Sequence, residues 1–401
     1  MGKIFTDFLE YRVNIFLYST FYILHSIYMK IALVHDLLVK LWWAEKVLEK
    51  FSNMYPESDI FTLIYDEEKV KKSFPKEKIK YIPKITQNIY KLTKNQRFCL
   101  PFMSRAVESL DLSKYDVVIA DNSAFVHGCI TKPETKFIVY YHTPARYMWD
   151  RTNEYKNEIW WNKWIKLFIL NWMLKWLRMW DFQASQRHDI TLANSSNVAK
   201  RLKKYYWLDA EVIYPNVEVN RFNKKVNWNF EKPFEKYYII ISALTEFKNI
   251  DKSVKAFNKM PNKNLVVVWN WNYKESLEKM ATWNNIKFTW PKYDDELVFL
   301  LQNASGLVFS WEEDFWIVPI ESFWAWIPVF AYRWWWLAET MIEWITWEFF
   351  DNINWEDFVE KFEVFEKNIL SWKYDKDKIK EHAKNFSEEI FEKKIREIVW
   401  E

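Results

Sequence analysis

Two glutamates with seven residues between them form the spacing in this sequence that is best suited to chemistry. Glu313 and Glu321 lie within the run Ser310–Glu321, across the turn from an apolar strand into a helix. Ligands of α/β sheets bind outside the carboxyl ends of the strands. The spacing therefore predicts that the first carboxylate faces a binding crevice and that the second lies on the following helix, where it can accept hydrogen bonds from a ribose diol.

Tryptophan occupies positions where turn chemistry favours glycine. The 401 residues include 27 tryptophans and 3 glycines, whereas an average composition of about 7% would give roughly 28 glycines. Our hypothesis is that all the tryptophans except Trp149 and Trp180 stand for glycine, encoded by UGA codons that the host reads as glycine. Deliberate replacement is the alternative. About twenty indoles in tight turns would cost more, at roughly 1–3 kcal/mol each, than the ~5–15 kcal/mol that stabilises a domain.

The first of these turns is a candidate anion site. Trp42 and Trp43 open a helix after the strand Ile31–His35 and the short loop that runs to Leu41. With glycine at both positions, backbone N–H groups at the helix N-terminus could approach a diphosphate closely. Any tight strand-to-helix turn would use glycine in the same way, so this signal is weak alone.

Composition bounds the class of protein. A chain of 401 residues with half of them apolar can bury two ordinary cores, which predicts two globular domains. A net charge of +3 argues against nucleic acid as the main partner. The segment Lys69–Arg97 carries ten basic residues and one acid, Glu77, which favours peripheral contact with an anionic membrane surface or, equally, a solvated face. Cys99 and Cys129 have no metal or redox spacing, so we expect a reducing cytoplasm.

Alternating strand and helix patterns predict an α/β fold. Apolar runs suited to strands occur at residues 31–35, 59–64, 116–120, 137–141, 189–193, 211–214, 237–242, 264–268, 286–289, 306–309 and 328–331. Repeated βα units give parallel sheets covered by helices. The polar, proline-containing stretch from Tyr214 to Pro233 is the predicted linker. Residues 1–28 are predicted to be a spurious extension, because Met29 leads directly into the first strand.

Several ordered motifs resemble the retaining glycosyltransferases of family 4. The resemblance covers roughly residues 29–385 and includes the Glu313–Glu321 spacing with Phe315-Trp316 inside it, read as Phe-Gly. The supporting motifs are Tyr141–Asp150, Ala193–Ser195, Tyr205–Trp207 and Val212–Pro215. The sequence is most similar to bacterial O-antigen and polysaccharide transferases, many of which use GDP-mannose.

The resemblance implies the GT-B architecture, in which two Rossmann-like domains have parallel sheets facing a central cleft. Residues 29–216 would form the acceptor-binding domain, residues 217–385 the domain that binds the nucleotide-sugar donor, and residues 386–401 a C-terminal helix. The acceptor would be a glycan or a lipid-linked glycan at the cytoplasmic membrane face. No cofactor and no metal are expected.

The same resemblance assigns roles to individual residues. Glu313 would contact the donor sugar, Glu321 the ribose, Lys248 the diphosphate, and His142 the transferred sugar. Backbone N–H groups would seat the nucleotide sugar at three positions: Phe315, Trp316 and Ile317. Many relatives have an arginine where Ala243 stands, and Arg333 could supply that charge or belong to a surface loop. Asp36 and His127 are weaker candidates on the acceptor side.

Two other functions stay open from the sequence. A nucleotide-sugar epimerase shares this architecture but needs a further acid/base set, which is not evident. A non-catalytic glycan-binding or scaffold protein would be favoured by Ala243 and by genuine tryptophan in the donor loops. Taken singly, Glu321 could be a carboxylate stabilised by the helix dipole and His142 a hydrogen-bonded core histidine.

Overall fold

The computed structural model describes most of the chain outside the first 28 residues. The described ranges are residues 29–153, 164–217, 220–223, 230–242, 248–269, 274–290, 294–311, 317–333, 347–352, 355–371 and 374–400. The predicted extension 1–28 therefore lies outside them. So do Glu313, Phe315, Trp316, Ala243 and residues 334–336.

The N-terminal sheet has seven parallel strands in the order β3-β2-β1-β4-β5-β6-β7. Its strands are β1 Ile31–Leu38, β2 Asp59–Tyr65, β3 Ile79–Tyr81, β4 Val117–Asn122, β5 Lys136–Tyr141, β6 Ile190–Ala193 and β7 Glu211–Val212. The helices are α1 Trp43–Met54, α2 Glu67–Val70, α3 Lys84–Thr93, α4 Met103–Glu108, α5 Trp164–Ala184 and α6 Ser196–Tyr206, with 3-10 turns at Lys76–Lys78, Gln96–Phe102 and Val126–Gly128.

The C-terminal sheet has six parallel strands in the order β10-β9-β8-β11-β12-β13. Its strands are β8 Tyr238–Ser242, β9 Leu265–Trp269, β10 Ile286–Thr289, β11 Gly306–Phe309, β12 Val329–Tyr332 and β13 Trp347–Phe350. The helices are α7 Asn220–Asn223, α8 Ile250–Asn258, α9 Lys274–Met280, α10 Asp294–Gln302, α11 Ile317–Trp324, α12 Trp355–Leu370, α13 Lys376–Ala383 and α14 Glu388–Trp400, with a 3-10 turn at Lys384–Phe386.

The predicted fold class of two parallel-sheet α/β domains is confirmed. Central strands such as β1 and β4 are buried on both faces, which is why they appear in the sequence as continuous apolar runs. The sequence did not predict β3 or β13. The first is a three-residue edge strand with two exposed positions, and the second is the outer strand of its sheet.

The chain divides into two compact units between Tyr214 and Pro215. The last ten residues, Glu392–Glu401, belong to the N-terminal unit although they follow the C-terminal one. They are tied there by an ion pair of 2.5 Å between Glu392 and Lys50 and by a hydrogen bond of 2.6 Å from Lys136 Nζ to the carbonyl of Ile398.

Two tryptophans have the left-handed backbone that favours glycine. Trp207 ends α6 with φ 62°, and Trp326 follows α11 with φ 65°. A bulky residue in this region costs roughly 1–2 kcal/mol. Both side chains are also substantially exposed, at 74% and 40%.

Trp149 and Trp180 differ from these two positions, because their indole N–H groups form hydrogen bonds within the fold. The Trp149 indole donates a hydrogen bond of 2.7 Å to Asp181, and the Trp180 indole one of 2.8 Å to Glu108. Gly128 makes room for the second ring, because a Cβ there would lie 2.5 Å from Trp180 Cζ2.

Candidate functional site

His142 and a buried aspartate meet at the centre of the N-terminal sheet. Sheet order reverses between β1 and β4, which is where α/β sheets bind ligands. Asp121, near the end of β4, is fully buried, and its Oδ1 lies 2.6 Å from His142 Nε2, just beyond β5. Its Oδ2 lies 2.8 Å from Nδ1 of His35, its register partner on β1.

The two histidines keep the Asp121 carboxylate charged. Burial alone would raise the pKa of Asp121, but the hydrogen bonds and charges of His142 and His35 outweigh that effect and lower it. The His142 side chain is 13% exposed. An imidazole edge is thus held at the sheet's switch point by a buried anion.

The two weaker acceptor-side candidates have buried structural contacts. The carboxylate of Asp36 accepts the backbone N–H groups of three consecutive residues that follow β4: Ser123, Ala124 and Phe125. His127 is fully buried, with Nδ1 3.1 Å from Asn122 Oδ1 and Nε2 3.3 Å from Asp181. Asp36 anchors the loop after β4, and neither side chain offers a free face to a ligand.

Trp42 and Trp43 do lie at the start of a helix, as predicted. Trp42 is the residue before α1, and its backbone N–H donates a hydrogen bond of 2.8 Å to Glu45 Oε2. Lys40 Nζ lies 3.1 Å from the centre of the Trp42 ring. This turn therefore carries a cation, Lys40, but the Trp42 N–H is already hydrogen-bonded to Glu45. The Trp42 N–H is thus less available to a bound anion than the sequence predicted.

Lys248 lies where two neighbouring strands of the C-terminal sheet end. It precedes α8 on the connection from β8, and the Ser310 hydroxyl, directly after β11, donates a hydrogen bond of 3.3 Å to the Lys248 carbonyl. Lys248 Nζ lies 4.9 Å from the ring centre of Trp311, which is fully buried. Because β8 and β11 are adjacent and the strand order reverses between them, the lysine is at the switch point of its sheet.

Glu321 is a buried carboxylate on α11 with a cationic partner. It is 3% exposed and forms an ion pair with Arg221 on α7, whose side chain is 11% exposed. Within the described ranges, Arg221 Nε has no hydrogen-bond partner. The guanidinium compensates the buried charge, and any diol that binds Glu321 would share the carboxylate with it.

The remaining donor-side candidates are only partly described. Ile317 is the first residue of α11 and is buried, while the predicted N–H donors at Phe315 and Trp316, like Glu313, fall outside the described residues. Arg333 follows β12, donates a hydrogen bond of 2.5 Å to Asp351 and lies over the Phe349 ring. Its charge therefore pairs with Asp351 where β12 and β13 end.

The described part of the chain contains neither a group of metal-binding side chains nor a membrane-spanning helix. No cluster of three or more His, Cys, Asp or Glu side chains in these ranges could hold a metal ion. No helix assigned there is long and apolar enough to cross a membrane.

Sequence reasoning missed His35, Asp121 and Arg221. Asp121 directly follows the apolar run of β4, and a polar residue at the end of a central strand is a usable signal. The pairing of His35 with Asp121 depends on strand register across 86 residues, and that of Arg221 with Glu321 spans 100. No local pattern contains either pairing.

Two family models match adjacent parts of the sequence. "Glycosyltransferase Family 4" matches residues 48–221, and "Glycosyl transferases group 1" matches residues 222–386. Together they span both α/β units, and the chain belongs to the family 4 glycosyltransferases. A search of curated proteins finds no significant match.

Solved glycosyltransferase structures share the fold at low sequence identity. HepE from Anabaena, crystallised in complex with UDP, has a TM-score of 0.65 and 11% identity, with 92% of this chain and 99% of that chain covered. Sucrose-phosphate synthase from Thermosynechococcus elongatus has a TM-score of 0.66 and 13% identity, covering 92% and 98%. A glycosyltransferase from Rickettsia africae has a TM-score of 0.61 and 17% identity, covering 92% and 98%. These similarities confirm the GT-B fold.

Proposed function

We propose that this glycosyltransferase is a retaining hexosyltransferase that uses a nucleotide-diphosphate sugar to extend a glycan or lipid-linked acceptor of the cell envelope. The observation that carries the proposal is the position of Lys248 at the switch point of the C-terminal sheet, with the buried carboxylate of Glu321 in the same unit. A fixed cation suits a diphosphate leaving group, whose negative charge grows as the glycosidic bond breaks.

In the proposed reaction, the bond from the anomeric carbon to the diphosphate oxygen breaks through an oxocarbenium-like state. The acceptor hydroxyl oxygen bonds to the same face of that carbon, and its proton passes to the leaving diphosphate. Lys248 stabilises the leaving group, Glu321 holds the ribose, and Glu313 contacts the sugar hydroxyls. His142 lies beside the transferred sugar. No cofactor takes part.

GDP-mannose is the donor that we propose to test first, because the motifs resemble those of polysaccharide mannosyltransferases. HepE binds UDP, UDP-glucose and glucose in its crystal structures, which makes UDP-glucose the natural second donor. The two differ in base and in sugar, so a panel that also includes GDP-glucose and UDP-galactose separates the two preferences.

Donor hydrolysis without acceptor tests the reaction class. A transferase slowly releases free sugar from its own donor, an epimerase interconverts the sugar, and a binding protein does neither. We expect Lys248→Ala to slow release about 100-fold, the usual scale for losing one electrostatic donor. Lys255→Ala is the matched control, since Lys255 is exposed on α8 and pairs with Asp251 on the same helix. Epimerised donor, or equal rates for the two variants, would refute the proposal.

We also propose that the basic segment Lys69–Arg97 contacts an anionic membrane at the cytoplasmic face. Support comes from exposed apolar side chains among its exposed cations: Leu92 is 87% exposed and Phe98, next to Arg97, is 60% exposed. Apolar insertion and lipid charge then act on one surface.

Vesicle sedimentation tests this surface. The protein should bind vesicles with 30% phosphatidylglycerol in phosphatidylcholine at low salt, and binding should weaken by about tenfold in the double variant Leu92→Ser/Phe98→Ser. Exchange of the exposed Leu370 for Ser serves as the control in the other unit. Equal binding to pure phosphatidylcholine would exclude the electrostatic part of the proposal.

Recoding is the third part of the proposal: the functional protein carries glycine at its tryptophan positions other than Trp149 and Trp180. The left-handed backbone at Trp207 and Trp326 supports it. Peptide mass spectrometry on the protein from its native host, over residues 311–340, decides the question. Glycine at 316, 326 and 334–336 is the expected result, and tryptophan there would rule recoding out.

A further inference from the structure

A continuous row of buried side chains links His142 to the start of α1. Asp121 joins His142 to His35 through its two carboxylate oxygens, as described above. On the other side of the His35 ring, Nε2 lies 3.9 Å from Glu45 Oε1. The second oxygen of Glu45 accepts the Trp42 N–H. Asp121, His35 and Glu45 are each no more than 5% exposed.

The geometry at His35 favours protons on both ring nitrogens, with a hydrogen bond of 2.8 Å from Nδ1 to Asp121 and a longer ion-pair distance of 3.9 Å from Nε2 to Glu45. Nδ1 and Nε2 each face a carboxylate, and a carboxylate can only accept hydrogen bonds. A neutral ring would leave one nitrogen lone pair facing a buried anion. The imidazolium form removes that conflict.

Electrostatics agree with the geometry. Burial alone would lower the pKa of His35, but the hydrogen bond to Asp121 and the negative charges of Asp121 and Glu45 raise it to about 10. The other titratable groups nearby are Lys40, which faces Glu45, and Tyr140, which faces Asp121. Burial lowers the pKa of Lys40 and raises that of Tyr140. The charge of Lys40 interacts with Glu45 rather than with His35.

We propose that His35 is a positioning residue for His142, acting as a permanent buried cation that fixes the Asp121 carboxylate and, through it, the tautomer of His142. With Asp121 anionic and held by His35, His142 Nε2 carries the proton that bonds to Oδ1. Nδ1 is then the ring nitrogen left for the sugar or acceptor. Glu45 extends the row to the start of α1, so the contacts hold the ring of His142 at a fixed position relative to this turn. The catalytic part of this inference rests on the proposed transfer reaction.

Nitrogen-15 NMR of the imidazole rings tests the charge and the tautomer directly. In the wild-type protein, the His35 resonances should be those of an imidazolium from pH 6 to pH 8.5, and His142 should be the Nε2–H tautomer when neutral. His188 is the internal control: it is largely buried, its Nε2 lies 2.8 Å from the Thr191 hydroxyl, and its pKa is lowered to about 3 by burial and by His127. It should stay neutral over the same range.

Two substitutions separate positioning from packing. His35→Leu should release the His142 tautomer and lower kcat for donor hydrolysis about 10- to 100-fold, the usual scale for a partner that orients a functional histidine, with the donor KM changed less than twofold. His35→Asn keeps an amide donor toward Asp121. It should therefore restore part of the His142 tautomer preference and part of kcat. The NMR measurement of His35 and His142 protonation uses the wild-type protein, so it still tests the proposal if His35→Leu misfolds.

The outcomes separate this inference from the proposed function. A neutral His35 at pH 7, or an unchanged His142 tautomer in folded His35→Leu, overturns the positioning role whether or not sugar is transferred. The expected tautomer change in a protein that neither transfers nor hydrolyses any donor would confirm the positioning of His142 and refute the proposed function alone.

Discussion

At the scale of single residues, removing only one partner of the ion pair between Arg221 and Glu321 should lower the free energy of unfolding strongly. Arg221→Met removes the guanidinium that compensates the buried Glu321 carboxylate, and we expect a loss of about 3–5 kcal/mol in the free energy of unfolding. The double variant Arg221→Met/Glu321→Gln should recover most of that loss because it removes both charges. Urea denaturation of the wild type and the two variants measures these free energies of unfolding.

The control for this prediction is an exposed pair in the same unit. Arg333 and Asp351 are 45% and 49% exposed, so Arg333→Met should cost no more than about 1 kcal/mol. Equal losses for Arg221→Met and Arg333→Met would contradict the view that Glu321 depends on Arg221 for its charge.

His35 should make stability depend on pH in the alkaline range. Its pKa is about 10 in the folded protein against an ordinary value of 6.5, so the folded chain retains a proton that the unfolded chain releases. The resulting stabilisation is complete below pH 6.5 and is lost as the pH rises through about 10. The difference in unfolding free energy between wild type and His35→Asn should therefore shrink between pH 6 and pH 9.5. A difference that is constant over this range would show that His35 is neutral.

At the scale of elements, the ends of α6 and α11 should become more stable with glycine. Trp207 and Trp326 have positive φ, and we expect Trp207→Gly and Trp326→Gly each to raise the unfolding free energy by about 1–2 kcal/mol, as relief of left-handed strain. Thermal or urea unfolding measures the change.

Trp355 supplies a matched control for the helix ends. Its side chain is 40% exposed, like that of Trp326, but it begins α12 without positive φ. Trp355→Gly should therefore give no gain and cost up to about 1 kcal/mol, because glycine is a poor helix residue. A similar gain at all three positions would point to removal of exposed indole rather than to backbone strain.

The sequence predicts elements well where burial is continuous and poorly where it is not. Apolar runs identified every long central strand, whereas β3 and β13 lie at sheet edges and carry a weaker pattern. Lys248 is a candidate from its local motif, which resembles that of the family. His35 and Asp121 were not paired in advance, because their contact depends on parallel register between β1 and β4. Residue types near a strand end can be predicted, but their partners depend on the assembled sheet.

At the scale of the whole molecule, the last two helices contribute to different units of the chain. Ile379 on α13 is fully buried and belongs to the C-terminal unit, while Ile395 on α14 is 2% exposed and belongs to the N-terminal unit. Only fifteen intervening residues separate two buried side chains that belong to different units.

Truncating each isoleucine should destabilise a different sheet. Loss of a buried isoleucine to alanine costs about 2–5 kcal/mol in the unit that contains it. In hydrogen exchange, Ile395→Ala should deprotect the amides of β1 and β4, and Ile379→Ala those of β8 and β11, because local opening follows the stability of each cooperative unit. The two variants control for each other in size, chemistry and helical setting. If both accelerated exchange in the same sheet, the C-terminal helices would belong to one cooperative unit, contrary to the division at Tyr214 and Glu392.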